Sequence, residues 1–101
     1  MRKRLYPARI KVRNRWVRVE LVPFIEEKGR VVTRGYFCPK RHTITLLSTL
    51  SDKELFSTFI HELLHAIEHY YRVRIPHKLV YAQEGPISET LLRNFHLLPR
   101  R

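Results

Sequence analysis

The first part of the chain alternates apolar and other side chains with a period of two. Residues 8–13 (ARIKVR) and 15–22 (RWVRVELV) both follow this pattern, which is typical of half-buried strands. Asn14 between them suits a tight turn, so the pattern predicts a β-hairpin over residues 8–22. Pro23 is expected to end the hairpin, because proline cannot donate to a strand ladder.

Two further strands are predicted in the middle of the chain. The segment EEKGR (26–30) is polar and contains Gly29, which predicts a turn. RVVTRGYF (30–37) then predicts a short strand before Cys38. HTITLLS (42–48) predicts another, because β-branched residues are enriched in strands.

The sequence SDKE, residues 51–54, marks the start of a helix. It is a capping box, in which the Ser51 hydroxyl can accept from the Glu54 amide while the Glu54 side chain accepts from the Ser51 amide. The helix is predicted to begin at residue 52 and to run to about Arg72. Its apolar residues recur at spacings of three and four: Leu55, Phe56, Phe59, Ile60, Leu63, Leu64 and Ile67.

A second helix is predicted over residues 77–94. Ile75 and Pro76 separate it from the first helix, because a residue before proline avoids helical backbone angles. Pro86 predicts a kink or a restart within it. Strands precede helices, an order typical of the α+β class. We therefore expect one α+β domain over residues 1–101, with a small antiparallel or mixed sheet followed by two helices.

The charge and the apolar content of the chain indicate which partners and which cellular location to expect. The formal net charge is +11, and eight of the first 18 residues are Lys or Arg, so this segment could hold phosphate or an acidic surface. No apolar run approaches the ~20 residues that span a bilayer, and the basic N-terminus lacks the apolar stretch of a signal peptide. A soluble, cytoplasmic protein without a membrane span is expected. The few side-chain amides beside many Lys and Arg residues suggest a thermophilic source.

The single cysteine, Cys38, excludes a disulfide framework. Cys38 and His42 have the C-x3-H spacing of a zinc-ligand pair. A closed structural zinc site needs four ligands, however, and no second pair lies nearby in the sequence. A structural zinc site is therefore disfavoured.

The strongest chemical signal is HELLH, residues 61–65, on the first predicted helix. Residues four apart share a helix face, so His61 and His65 can present two imidazoles to one zinc (Zn2+) ion. Glu62 is displaced by about 100° around the helix, where it can flank the ion and act as a general base on water. The alternative is two surface histidines that lie one turn apart by chance.

A catalytic zinc site has three protein ligands and one open position. If the second helix returned antiparallel after a turn near 73–76, Glu84 would lie level with His65 on the apolar face of that helix. A carboxylate there is costly to bury without a partner such as a metal ion. Glu84 is therefore the predicted third ligand. Glu89 and His77 are the alternatives, although His77 would lie about 10 Å too far along the axis.

Two other ligand patterns are disfavoured. His69 continues the spacing of four, but on an unbroken helix it lies ~12 Å along the axis from His61. The metzincin pattern needs a third histidine where this chain has Tyr71, and a glycine where it has Glu68.

This arrangement resembles that of the gluzincin metallopeptidases, in which an HExxH helix is followed by a helix with a glutamate ligand. The segment QEGPIS (83–88) is similar to the glutamate-helix segment of thermolysin-like enzymes. It departs from them at two positions. Pro86 is inserted, and Ser88 stands where those enzymes often have a supporting aspartate. Ser88 or Glu89 would then orient His61.

Length, basicity and element order most resemble the minigluzincins, small zinc metallopeptidases of thermophilic prokaryotes. The resemblance implies a zincin-like minimal catalytic domain that acts on peptide or protein substrates. It also implies the following site: Glu62 as the catalytic residue, and His61, His65 and Glu84 as the ligands of a Zn2+ cofactor.

The resemblance further implies latency, because minigluzincins are described as zymogens held by C-terminal segments. The tail at about 95–101 is therefore predicted to be inhibitory, with His96 as a cap on the open zinc position. The alternative is a frayed chain end. A tail that blocks its own cleft could also block that of a second copy, so a homodimer is one expected form.

Substrates of zincins commonly pair with an exposed strand edge. HTITLL is the predicted edge because it directly precedes the HExxH helix, and a core strand is the alternative. Tyr70, Tyr71, Tyr81 and His69 are potential donors to a tetrahedral oxyanion. Nothing in the sequence selects among them.

The competing prediction is a nucleic-acid-binding protein. It is based on the basic N-terminal hairpin, in which Tyr6 and Trp16 lie between the cations. No recognised DNA or RNA motif accompanies these residues, so nucleic acid is the less favoured partner. An intermediate prediction is a protease that resembles the SprT group, which acts on DNA-bound proteins and would use the hairpin to find DNA.

Overall fold

The computed structural model describes residues 7–27, 30–31 and 34–94. Over these residues the protein has the predicted α+β class, with strands first and helices afterwards. The strands are β1 (Arg9–Val12), β2 (Arg15–Val22), β3 (Glu26–Glu27), β4 (Arg30–Val31), β5 (Gly35–Cys38) and β6 (Thr43–Leu47); the helices are α1 (Asp52–Tyr71) and α2 (His77–Asn94).

The main sheet has four strands in the order β1-β2-β6-β5. β1 and β2 form the predicted antiparallel hairpin, β2 and β6 run parallel, and β5 pairs antiparallel with the other side of β6. β3 and β4 form a separate two-stranded ribbon. The prediction that HTITLL presents the exposed edge is therefore wrong, because β2 and β5 flank it on both sides. β5 is the strand at that end of the sheet.

The turn of the β1–β2 hairpin consists of Arg13 and Asn14, and it is Arg13 that has a positive φ, of 56°. A left-handed conformation costs a non-glycine residue roughly 1–2 kcal/mol. The guanidinium of Arg13 offsets part of this cost, since it donates to the carbonyl oxygen of Tyr70 at 3.0 Å and lies near the Tyr71 ring. These contacts join the hairpin to the last turn of α1, where carbonyl groups lack helical partners.

α1 begins at the predicted capping box. The Ser51 hydroxyl accepts from the Glu54 amide at 3.2 Å, and the Ser51 amide donates to Oε1 of Glu54 at 3.3 Å. The apolar side of the helix packs on one face of the sheet. Side chains from both elements form the buried core: Val12, Val17, Val19, Ile44, Leu46, Leu55, Phe56, Phe59, Ile60 and Ala66.

The connection between the helices turns back beside α1. Arg72 ends the helix in the left-handed conformation, with φ 55°, and its amide donates to the carbonyl oxygen of Glu68. The Ile75 amide then donates to the side chain of the same residue, Oε2 of Glu68, at 2.7 Å. The chain therefore runs back along the last turns of α1 before α2 begins at His77.

α2 continues through Pro86 without a break in the helix. Val80 is fully buried, and Ile87 and Leu91 pack against the core, so one face of α2 is held on the rest of the domain. Among the described residues, no helix is both long and apolar enough to cross a membrane.

Candidate metal centre

His61 and His65 present their rings to one point, as the HELLH spacing predicts. Their Nε2 atoms are 3.3 Å apart. Two nitrogens bound at 2.0–2.1 Å to one ion, with a tetrahedral angle between them, are separated by about 3.3 Å. The two imidazoles therefore have the spacing that a single zinc ion requires.

Each of these histidines has a carboxylate on its other ring nitrogen. Oε1 of Glu84 lies 2.6 Å from Nδ1 of His61, and Oε1 of Glu68 lies 2.8 Å from Nδ1 of His65. An ionised carboxylate only accepts hydrogen bonds, so these contacts favour a proton on Nδ1 of each ring and leave Nε2 as the nitrogen that can bind a metal ion. The Nε2 atoms of the two rings face each other at 3.3 Å, a position from which both could bind one ion.

His77, the first residue of α2, completes a group of three imidazoles. Ligand nitrogens of His61, His65 and His77 all lie within 4.8 Å of one another. The ring centroids are separated by 4.9, 5.3 and 5.1 Å, so the rings form a nearly equilateral triangle. Within the part of the chain that the structure describes, this is the one group of three or more residues with the geometry to hold a metal ion.

The position of His77 differs from the one expected for a direct antiparallel return. That geometry placed it level with Arg72, about 10 Å too far along the axis, and this expectation is wrong. Because the connection runs back along α1, the second helix starts beside His61 and His65. The reversal depends on the left-handed Arg72 and on the Glu68 side chain, neither of which a helix-register argument includes.

Glu84, the predicted third ligand, lies beside the ring of His61. Its Oε1 contacts Nδ1, and its Oε2 accepts from the hydroxyl of Ser57 at 3.3 Å. Both carboxylate oxygens thus have partners in the protein. Glu84 as a zinc ligand stays a prediction, and the contact that the structure gives it is with the ring of His61. Glu89, the other acidic alternative, is exposed, and Ser88 donates to the Gly85 carbonyl oxygen.

Glu62 is buried beside the cluster, with 8% of its surface exposed. Its carboxylate accepts a hydrogen bond from the backbone amide of Phe37 in β5. Burial raises the pKa of Glu62, and positive charge on His61 and His65 opposes this rise. A buried carboxylate with a raised pKa beside an imidazole cluster has the properties of a general base.

A cavity of about 460 Å³ lies in front of these groups. Its size is within the range of small-ligand sites. Residues from α1, from α2 and from the start of β5 line it: Thr58, His61, Glu62, Tyr81, Glu84, Arg34 and Gly35.

β5 directs alternate backbone groups toward this region. The carbonyl oxygen of Arg34 accepts from the Leu47 amide at 2.8 Å on the β6 side, whereas the Phe37 amide donates to Glu62 on the opposite side. Backbone direction alternates along a strand, so Gly35 and Phe37 point their amide and carbonyl groups away from β6. The strand edge that borders the cavity is therefore β5.

Gly35 allows β5 to approach α1 closely. A Cβ at this position would lie 2.8 Å from the carbonyl oxygen of Thr45, 3.0 Å from Cγ2 of Thr58 and 3.1 Å from Cδ2 of Leu46. A side chain here would push the strand and the helix apart. The close approach permits the hydrogen bond from Phe37 to the HELLH glutamate.

Of the four potential oxyanion donors, Tyr81 is the one that lines the cavity. Its ring centroid lies 5.0 Å from that of His61 and 4.7 Å from that of His77, and the residue is 63% exposed. The other three have contacts elsewhere: Tyr70 with His42, His69 with Phe37, and Tyr71 with Arg13.

Sequence reasoning missed the roles of Glu68 and Arg34. Glu68 follows His65 by three residues and so shares its helix face, a spacing that could have identified it as the partner of that ring. No local signal indicates Arg34, which reaches the cavity through strand pairing. Tyr6 and the tail 95–101, including His96, lie outside the described residues, so the predicted inhibitory tail stays a prediction.

Comparisons with protein-family models, with curated proteins and with solved structures give no match to this chain. The function is therefore inferred from the residues and from their geometry alone.

Proposed function

We propose that this protein is a zinc-dependent metalloendopeptidase with a zincin-like catalytic domain. The observation that supports this function is the imidazole cluster. Two Nε2 atoms lie at tetrahedral ligand spacing, and both Nδ1 atoms contact carboxylates. His61, His65 and His77 would hold the ion, and Glu84 and Glu68 would orient the first two rings.

The donor set fits Zn2+. Catalytic zinc sites have three protein ligands and one open position, and here three imidazoles lie together beside a cavity that His61 lines. Carboxylate partners raise the basicity of the ligating histidines and fix their tautomers. Zinc bound there would supply Lewis-acid activation of water and of a substrate carbonyl group.

Glu62 would act as the general base. The Phe37 amide holds its carboxylate at the cavity, and the raised pKa suits it to accept a proton from water as the water attacks a peptide carbonyl. The same carboxyl group would then protonate the leaving amine. Tyr81, at the mouth of the cavity, would donate to the developing oxyanion.

A peptide substrate would lie in extended form beside β5. The start of this strand borders the cavity that His61 and Glu62 also line, so a chain that follows the strand would pass in front of these two residues. Extended peptides commonly bind by adding to the edge of a sheet. Arg34, directly before β5, would then lie close to the substrate.

The test compares zinc content and peptide hydrolysis in the wild type and in two variants. Glu62→Gln is expected to keep stoichiometric zinc and to lose hydrolysis, whereas His61→Ala is expected to lose zinc. His69→Ala serves as the control, because this α1 histidine packs on Phe37 outside the cluster and should retain both properties. Each protein is also truncated after Asn94, so that an inhibitory tail cannot mask activity. Equal zinc content and equal activity in all variants would refute the proposal.

A further inference from the structure

The face of the sheet opposite α1 has a basic and aromatic surface on the β1–β2 hairpin. The register pairs Arg9 with Arg18 and Lys11 with Trp16 across the two strands. Because Ile10 and Val17 point to the core, strand alternation directs these four residues to the outer face. All four are exposed. These four residues form the hairpin patch.

Trp16 is held on this surface by cations. The guanidinium of Arg9 lies 4.2 Å from the centre of its ring, and Nζ of Lys11 lies 5.7 Å from it. The residue is nevertheless 48% exposed. Cation–π contacts restrict the side chain without burying it, so a large aromatic surface stays open to solvent in an ordered position.

The charge around Trp16 is strongly positive. Glu20 is the one acidic residue in β1 and β2. Its carboxylate is shared by Arg18 at 2.8 Å and by Arg41 at 3.8 Å. Two cations thus surround one acid, while Arg9 and Lys11 add further positive charge beside the ring. A polyanion is the partner that this surface complements.

We propose that the hairpin patch binds single-stranded nucleic acid, with a base stacked on Trp16 and with phosphates contacted by Arg9, Lys11 and Arg18. A stacking aromatic among basic side chains is the usual means of binding single strands without sequence preference. A base must be unpaired to stack on a side chain at a sheet surface, which favours single strands over duplex. An anionic membrane is less well matched, because the patch presents one aromatic ring and no apolar cluster to enter the lipid.

The hairpin patch lies apart from the metal centre. β1 and β5 are at opposite ends of the four-stranded sheet, roughly 14 Å apart at ~4.8 Å per strand, and the patch is on the face that α1 does not cover. Nucleic-acid binding therefore requires neither zinc nor Glu62, and it goes beyond the proposed peptidase activity. Failure of either proposal leaves the other unaffected.

Trp16 is the only tryptophan in the chain, so intrinsic tryptophan fluorescence reports on the patch directly. The experiment titrates the full-length protein with a short oligothymidylate at several salt concentrations. Stacking is expected to quench the fluorescence. The logarithm of the binding constant is expected to fall linearly with the logarithm of the salt concentration, by about 0.7 per phosphate contact.

Matched variants distinguish the contribution of the hairpin patch to binding from that of the overall positive charge. Lys11→Glu is expected to weaken binding at least about fivefold and to reduce the salt slope. Lys53→Glu makes the same charge change at the start of α1, on the other side of the sheet, and is expected to weaken binding less than about twofold. Trp16→Leu removes the ring on which the base would stack, so its affinity should fall at least about fivefold. The anisotropy of a labelled oligonucleotide measures this affinity. Lys11→Gln is a milder replacement if Lys11→Glu impairs folding, and it should reduce the salt slope by about 0.7.

Several results would overturn the proposal. These are the absence of binding at low salt, binding without quenching of Trp16, and equal losses in Lys11→Glu and Lys53→Glu. Tighter binding to duplex DNA of the same length would also contradict it. A blue shift of Trp16 with phosphatidylserine vesicles, without quenching by the oligonucleotide, would assign the patch to a membrane surface instead.

Discussion

Oε1 of Glu84 lies 2.6 Å from Nδ1 of His61, the ring nitrogen opposite the one that faces His65. The carboxylate on the second helix thus contacts the side of the imidazole that faces away from His65. The Nε2 side is directed to the cluster that His77 completes. In the proposed site, α2 therefore supplies both a ligand and the residue that orients another ligand.

Substitution of these two α2 residues distinguishes their roles. Glu84→Gln is expected to weaken zinc binding by about 10- to 100-fold, since all three imidazoles remain but the amide holds the Nδ1 proton less strongly. His77→Ala would remove a proposed ligand and should weaken binding further. Competition with a chromophoric chelator measures both affinities, and the visible spectrum of the Co2+-substituted protein reports the ligand set. If Glu84→Gln changes that spectrum while His77→Ala does not, Glu84 is the ligand.

Gly35→Ala is expected to lower the free energy of unfolding by about 1–3 kcal/mol. The new methyl group would meet the Thr45 carbonyl oxygen at 2.8 Å, and the backbone cannot move aside as a flexible side chain can. Gly85→Ala is the control, because a Cβ there meets nothing within 4 Å. It should stabilise α2 by roughly 0.4–1 kcal/mol. Urea denaturation gives both values.

The same pair of glycine variants tests the contact between β5 and α1. A shift of β5 would displace the Phe37 amide from Glu62, so Gly35→Ala should lose hydrolysis even under conditions where it is fully folded. Gly85→Ala should keep it. Full activity in folded Gly35→Ala would mean that the position of β5 does not matter to the carboxylate.

Tyr81→Phe is expected to lower kcat by about 10²-fold with little change in KM, since the lost hydroxyl would act on the oxyanion and not on the bound substrate. The expected decrease in kcat is at the lower end of the range for oxyanion donors because Tyr81 is largely exposed to water. Tyr71→Phe removes a hydroxyl from an exposed tyrosine beside Arg13 and should leave kcat unchanged. A similar kcat in all three proteins would exclude Tyr81 from the reaction.

Ser51→Ala is expected to lower the free energy of unfolding by about 1 kcal/mol, the usual value for loss of an N-cap hydroxyl. This hydroxyl accepts from the Glu54 amide at 3.2 Å. Thr49→Ala, at an exposed turn position outside the cap, should change stability by less than about 0.5 kcal/mol. Thermal denaturation followed by circular dichroism compares the two. Equal effects would show that the cap does not stabilise α1.

Glu54 makes the stability of α1 dependent on pH. Hydrogen bonds from the backbone and the side chain of Ser51 lower the pKa of Glu54 below its ordinary value. Its folded-state pKa is thus below its unfolded-state pKa. The stabilisation is present above the unfolded-state value and is lost as the pH falls through the folded-state value. Glu54→Gln should therefore melt at a lower temperature than the wild type at neutral pH. The difference should vanish in acid, well below the ordinary glutamate pKa of ~4.3.

The elements that the sequence predicted correctly depend on local signals. The capping box at Ser51 starts α1, and Pro76 comes directly before α2 at His77. The hairpin is also predicted from a local signal, because β1 and β2 are adjacent in the sequence and both alternate with a period of two. HELLH also places His61 and His65 on one face by spacing alone.

Other features could not be predicted because distant parts of the chain decide them. β6 pairs in parallel with β2 across an intervening ribbon and strand, which makes it an interior strand. The register of α2 depends on the left-handed Arg72 and on the hydrogen bond from the Ile75 amide to Glu68. The proposed ligand set differs from the predicted one for this reason, since the start of α2 decides which of its side chains lie beside His61.

The side chain of Glu68 contacts both the histidine cluster and the connection between the two helices. One oxygen holds the ring of His65 and the other holds the Ile75 amide in the connection between the helices. In the proposed site, binding of zinc to the cluster and order in the connection between the helices would therefore be thermodynamically coupled, so that each strengthens the other. Zinc is expected to slow deuterium uptake at Ile75 in the wild type but not in Glu68→Gln. Deuterium uptake at this backbone amide, which lies outside the cluster, would then report the fraction of the protein that has zinc bound.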